Sequence, residues 1–326
     1  METIYGERQL YEVKPYTLSE GRSNGVRCID VELGELKYTI VVDRGLDIAG
    51  AKYNGKQYAF ISKNGIVSPM YYNPDAFGWL EGFGGGLLVT CGLSNVGEPC
   101  EHNGKKHGLH GRISNIPAEE VDIRQEKQSG EIVITISGMV RETILMGCDY
   151  ELHRSITSKV GGNSIIVKDR IINCSDTEQP LMLLYHLNLG YPLMSPETKI
   201  DIKNTKEIKP FGDVARMALP KWNEFYSPRA GMYEEVFVHV LNKGAKGEFS
   251  LTNKESSMKL DVRFSADSLP NVGLWKSLRP DEYAVGVEPC NNNICGVDWE
   301  SKHGNLRMLK PGEEEHTQIG FVFSDI

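Results

Sequence analysis

Two side chains stand out by type and setting as an acid–base pair. His186 lies in the apolar run Leu181-Met182-Leu183-Leu184-Tyr185-His186-Leu187-Asn188-Leu189. In an extended chain Leu184, His186, Asn188 and Gly190 fall on one face, and Tyr185, Leu187 and Leu189 on the other. A lone histidine in such a strand reads either as a satisfied core residue or as part of a site lining. Asn188 on the same face favours the lining. Glu288 closes the run YAVGVEP (residues 283–289). It either reaches solvent or is buried, and burial raises a carboxyl pKa toward the range of a general base. An imidazole titrating near its ordinary value of about 6.5 shuttles protons at neutral pH.

Three further segments carry polar chemistry with more than one reading. His107-Gly108-Leu109-His110-Gly111-Arg112 is the densest polar cluster. It reads as surface histidines, as a hydrogen-bonding loop for a polar ligand, or as two metal ligands. The glycines argue against a helix that would align the histidines, and no acidic or Cys partner lies close by. Asp43-Arg44-Gly45-Leu46-Asp47 reads as a charged β-turn or as a ligand arginine. Gly82-Phe83-Gly84-Gly85-Gly86 has the glycine density of a phosphate loop, but a strand-like run follows it where a dinucleotide loop opens a helix. Close backbone packing explains it better, and ligand approach to the backbone is a third reading.

The elements that must hold these residues are strands. Period-two runs at 132–137, 150–156 and 164–172 read as three successive antiparallel strands. Further runs cover 37–42, 47–53, 236–241, 247–251, 258–264 and 318–323. Asp43–Gly45 and Asn54–Gly55 mark turns, the second a strong hairpin signal. Residues 211–230 read as loop with a short helix, and no long amphipathic helix is present. Glycine is abundant, 34 of 326 residues, which suits a chain of many tight turns. The expected class is all-β, a large sandwich of mostly antiparallel strands with few short helices. Length alone suggests two domains, yet no linker or repeat divides the chain.

Composition removes several functions. A net charge of −8 argues against a nucleic-acid partner. No apolar run approaches the ~18 residues of a membrane helix. Seven cysteines, an odd number with no C-x-x-C, imply neither a disulfide framework nor a zinc ribbon. The start of the chain shows no signal-peptide pattern, so a cytoplasmic protein is expected.

Taken in order, the segments DRGLDI (43–48), GGGLLVTCGL (84–93), GLHGR (108–112), YHLNLGYP (185–192), LWK (274–276), GVEP (286–289) and LKPGE (309–313) resemble the aldose 1-epimerase, or galactose mutarotase-like, superfamily. More narrowly they resemble its divergent branch labelled domain of unknown function 4432. The resemblance spans nearly the whole chain and implies one galactose mutarotase-like domain over 1–326, a β-supersandwich with an open sugar cleft. By motif position it implies His186 as general acid and Glu288 as general base, with His110 near the sugar ring oxygen. Arg44, Arg112, Asn188, Trp275 and Lys276 are expected to bind substrate, and Trp79, Tyr71 and Tyr72 are further candidates to stack on a sugar. The histidine strand reads YHLNLGYP where galactose mutarotases carry a form like NHTYFNL, a departure that bears on the identity of the sugar. The implied reaction is anomer exchange on a small-molecule sugar, without metal or other cofactor, with homodimerisation left open. The rivals are a non-catalytic sugar-binding or regulatory protein and a metal-assisted isomerase using His107 and His110.

Overall fold

The computed structural model describes residues 6–326. Its three larger sheets are built from antiparallel pairs. The largest has eight strands and contains the three successive runs expected from alternation. Glu131–Thr143, Asp149–Lys159 and Ser164–Asn173 lie side by side in that order, next to the closing strand Glu314–Ser324. Asp149–Lys159 buries every second residue, as a sheet with one face on the core must.

The second sheet has seven strands and carries the candidate residues. Its centre runs Glu235–Leu241, Asn271–Arg279, Glu282–Cys290 and Gln179–Leu189. Val89–Leu93 pairs with Gln179–Leu189. Residues 181–189 are buried on both faces, which is why the segment reads as a continuous apolar run. Leu183, Tyr185, Leu187 and Leu189 join a core cluster reaching from Ile29 to Phe323. Leu184 turns the other way, into a second cluster with Phe60, Trp79, Phe83 and Val89.

A five-stranded sheet near the start of the chain supplies Ile29, Val31, Tyr38 and Ile40 to the large core. It contains the expected strand Asp47–Tyr53 and the Asn54–Gly55 turn into Lys56–Gln57. The 211–230 segment holds the short helix Gly212–Ala218. A second short helix, Val297–Lys302, was not expected, because six residues are too few to show a helical period.

Candidate active site

Strand register creates the pair. Leu184 pairs with Cys290 and Leu187 with Val287, so His186 comes opposite Glu288. On the next strand Gly273 pairs with Glu288 and Trp275 with Gly286, on the same face. His186 Nε2 and Glu288 Oε1 are 3.1 Å apart, with both side chains almost wholly buried. The contact lacks hydrogen-bond alignment, and Glu288 Oε1 and His186 Nδ1 have no hydrogen-bond partner.

Two strand glycines make the room. A Cβ at Gly286 would lie 2.4 Å from Glu288 Oε1 and 2.8 Å from His186 Cε1, and one at Gly273 would lie 2.7 Å from Glu288 Oε2. Neither glycine was singled out from the sequence. The available signal was glycine inside two otherwise apolar strands, which marks a close approach.

Burial sets the charge states. It pushes the Glu288 carboxyl up to about 8, helped by the nearby Glu234 carboxylate. It pushes His186 well below its ordinary range, with His110 adding to the effect. Both shifts favour the uncharged forms at neutral pH, a protonated Glu288 beside a neutral His186. A histidine titrating near 6.5, expected from sequence, is therefore not what this pocket produces.

The surroundings are aromatic. Trp79 stacks on Phe83 at 4.7 Å between ring centroids, Phe83 lies 5.5 Å from His186, and Trp275 lies 5.7 Å from it. His110 meets His186 edge-on at 5.7 Å. Its Nδ1 accepts the Gly97 N–H at 3.4 Å, which leaves Nε2 as the protonated nitrogen. Burial pushes His110 down to about 4, so it is a neutral donor. Trp275 Nε1 donates to Glu234 Oε2 at 2.7 Å. All of these side chains line one cleft of about 670 Å³, within the usual range for small-molecule sites.

The structure thus gathers His186, Glu288, His110, Trp275 and Trp79 and leaves the other expected residues elsewhere. Asn188 lies beneath the cleft wall, its Nδ2 donating to the Gly86 and His186 carbonyls at 3.1 and 3.0 Å. Lys276 follows Trp275 in a strand and so faces the opposite way, paired with Glu235 at 2.5 Å. Arg112 is exposed at the start of a short 3-10 turn outside the cleft. Arg44 lines a second, smaller cavity. Tyr71 is exposed and Tyr72 donates to the Gly111 carbonyl, both outside the cleft lining. His107 ends the strand Lys105–His107 away from His110's pocket. Phe83 and Glu234, not foreseen as site residues, complete the wall.

The glycine run is a packing feature. A Cβ at Gly84 would fall 2.4 Å from the Gly65 carbonyl oxygen, and one at Gly85 2.3 Å from that of Phe60. Among the described residues no three His, Cys, Asp or Glu side chains gather as metal ligands. No helix among them is long and apolar enough to cross a membrane.

The antiparallel sheets, with few short helices, have the galactose mutarotase-like fold. The chain belongs to the family described as Domain of unknown function (DUF4432), whose model matches residues 23–322. Among solved structures it is similar to a protein described as a putative aldose 1-epimerase from Klebsiella pneumoniae. The TM-score is 0.91 at 24% identity, covering 96% of this chain and 83% of that one. It is also similar to a galactose mutarotase-like protein from Clostridium acetobutylicum (TM-score 0.66, 13% identity, 98% and 100% covered). A galactose 1-epimerase from Lactobacillus acidophilus shares the fold at TM-score 0.59 and 12% identity, with 97% and 99% covered. No curated protein matches the chain.

Proposed function

We propose that the protein is a sugar mutarotase, an isomerase that interconverts anomers by opening and reclosing a cyclic hemiacetal. The observation that carries this reading is the His186–Glu288 pair, 3.1 Å apart, formed by two residues that line a sugar-sized cleft. Ring opening takes a proton from the anomeric hydroxyl and gives one to the ring oxygen. Both oxygens are bonded to the same carbon, so the two catalytic groups must stand close together rather than across the ring. In its neutral form the pair offers one acceptor, His186 Nε2, and one donor, the Glu288 carboxyl. Reclosure on the other face of the carbon reverses both transfers and restores the resting state. The resemblance implied the opposite assignment, with His186 as acid, but the proton count is the same and burial decides where the proton rests.

His110, through Nε2–H, donates to a sugar oxygen, and Trp79 and Trp275 cover apolar ring faces. Glu81, Glu98, Glu234 and Glu282 line the cleft against Lys63 and Arg279. Lys63 and Arg279 are both engaged by Glu282. That balance favours a neutral sugar over a phosphosugar. Action in the cytoplasm, as one galactose mutarotase-like domain, belongs to the same reading.

The test is saturation-transfer NMR of anomer exchange over a panel of neutral aldoses and ketoses. Exchange should be accelerated for at least one sugar, and His186→Ala and Glu288→Gln should each lose about 100-fold or more while staying folded. Near-wild-type exchange by either variant sinks the assignment. Clear sugar binding without exchange makes the protein a binding module instead.

A further inference from the structure

We propose that the second cavity, behind the wall of the sugar cleft, binds a small monocarboxylate whose carboxylate group sits on Arg44. The cavity holds about 260 Å³ and is lined by Arg44, Asp47, Gln57 and the apolar side chains of Val41, Ile66 and Leu88, among others. The two cavities share the 82–86 loop as a partition: Phe83 faces the cleft, while Gly82, Gly84 and Gly85 line the second cavity.

Arg44 is the reason to expect an anion. Its Nη1 donates to the Val67 carbonyl at 2.9 Å, and it forms no ion pair among the described residues. The acidic residues beside it in sequence are committed elsewhere. Asp43 pairs with Arg27 at 2.6 Å. Asp47 accepts from Arg154 and from the Thr90 hydroxyl and N–H, at 2.6, 2.6 and 2.9 Å. Burial pulls the guanidinium down only to about 10, so it stays charged at neutral pH. The Asp47 carboxylate lies near enough to support its charge but bonds to Arg154 and Thr90, not to Arg44, so most of the guanidinium's donors remain free.

The chemistry of the walls selects the ligand. A guanidinium matches a carboxylate with two parallel hydrogen bonds. The Gln57 side-chain oxygen accepts from the Ala59 N–H at 3.3 Å, while its NH₂ group has no hydrogen-bond partner among the described residues and supplies a further donor. Apart from Asp47, Tyr16 and Thr39 the remaining walls are aliphatic side chains and glycines, which suits a body of a few carbons. With a single cation the cavity is poorly matched to a phosphate dianion. The inference is independent of the sugar chemistry in the neighbouring cleft.

Sodium butyrate is the probe, titrated into the full chain and followed by calorimetry and by ligand-observed NMR. Saturable binding is expected for the wild type, weakened about tenfold or more in Arg44→Met and several-fold in Gln57→Leu, with 1-butanol and inorganic phosphate not binding at equal ionic strength. Thermal unfolding without butyrate establishes that Arg44→Met is folded; should it not fold, Gln57→Leu alone decides. No binding of butyrate, binding unaffected by the variants, or Arg44-dependent binding of phosphate alone overturns the proposal.

Discussion

Two buried polar clusters lie back to back across the Gln179–Leu189 strand, one on each face. On the core face the Tyr185 hydroxyl reaches Asp169 and Thr317 at 2.6 and 2.5 Å. Asp169 takes Nε and Nη2 of the fully buried Arg154, whose Nη1 meets Asp47 and whose Nη2 also reaches Thr90. The core face is a closed network in which each charge has a partner. One residue along, on the cleft face, His186 and Glu288 touch without a hydrogen bond and keep unpartnered atoms. The strand and the depth are shared, so burial alone does not distinguish scaffold from site. Their bonding differs: the core-face network is closed, whereas the pair keeps unpartnered atoms, which under the proposed function are groups left free to act on a ligand's oxygens.

The largest expected effect falls on the satisfied side. Arg154→Met leaves Asp47 and Asp169 buried without their cation and should cost about 3–5 kcal/mol, read as a lower urea midpoint. A loss under ~1 kcal/mol would mean that the network is not what holds the sheets together.

Glu288 should behave in the opposite way. Its folded-state pKa of about 8 lies above the unfolded value of ~4.3, so folding favours the protonated form. Stability from this group is complete below pH ~4 and is lost as pH rises toward 8. Glu288→Gln removes that dependence. The variant should gain on the wild type by a few kcal/mol between pH 5 and pH 8 in paired denaturant titrations. Mutarotation should fall as pH rises through about 8, when the pair loses its proton. A difference between the two proteins that does not change with pH would show that Glu288 is not held neutral.

The cleft face also depends on space. Gly286→Ala puts a methyl group 2.4 Å from Glu288 Oε1, so the carboxyl or the imidazole must move. A loss of about tenfold or more in kcat with the fold retained is expected, since small displacements of positioned groups are costly to catalysis. Unchanged kcat would show that the pair tolerates rearrangement.

Much of the fold was legible because alternation survives wherever one face is wet or loosely packed, as in 150–156 and 258–264. The His186 strand lost its alternation to burial on both faces, yet the odd polar residues inside it pointed to the candidate cleft. The pair itself came from local context and motif order. What sequence could not show is which way each neighbour turns. Lys276 looked as available as Trp275, and one residue of offset sent it to the other face. Asn188 shares the His186 face but lies off the cleft lining, its Nδ2 held by the Gly86 and His186 carbonyls and its Oδ1 without a partner among the described residues. Arg44, in the first of the motif segments, lies across the 82–86 partition from the pair. Glu234 and Phe83 come from loops, where no periodicity marks a direction.

The smallest effect is the most discriminating. Tyr185 and His186 are neighbours in the chain and members of different clusters. Tyr185→Phe removes one hydroxyl, and Asp169 keeps both of its bonds from Arg154. Thr317 keeps a place in the core but loses its hydroxyl partner. The cost should be about 1–2 kcal/mol, the price of one buried hydrogen bond with a charged acceptor. If the two faces are energetically separate, kcat, KM and the loss of activity near pH 8 should all match the wild type. A shift in the pH profile of Tyr185→Phe would instead mean that the closed network behind the sheet helps to set the proton on the pair in front of it.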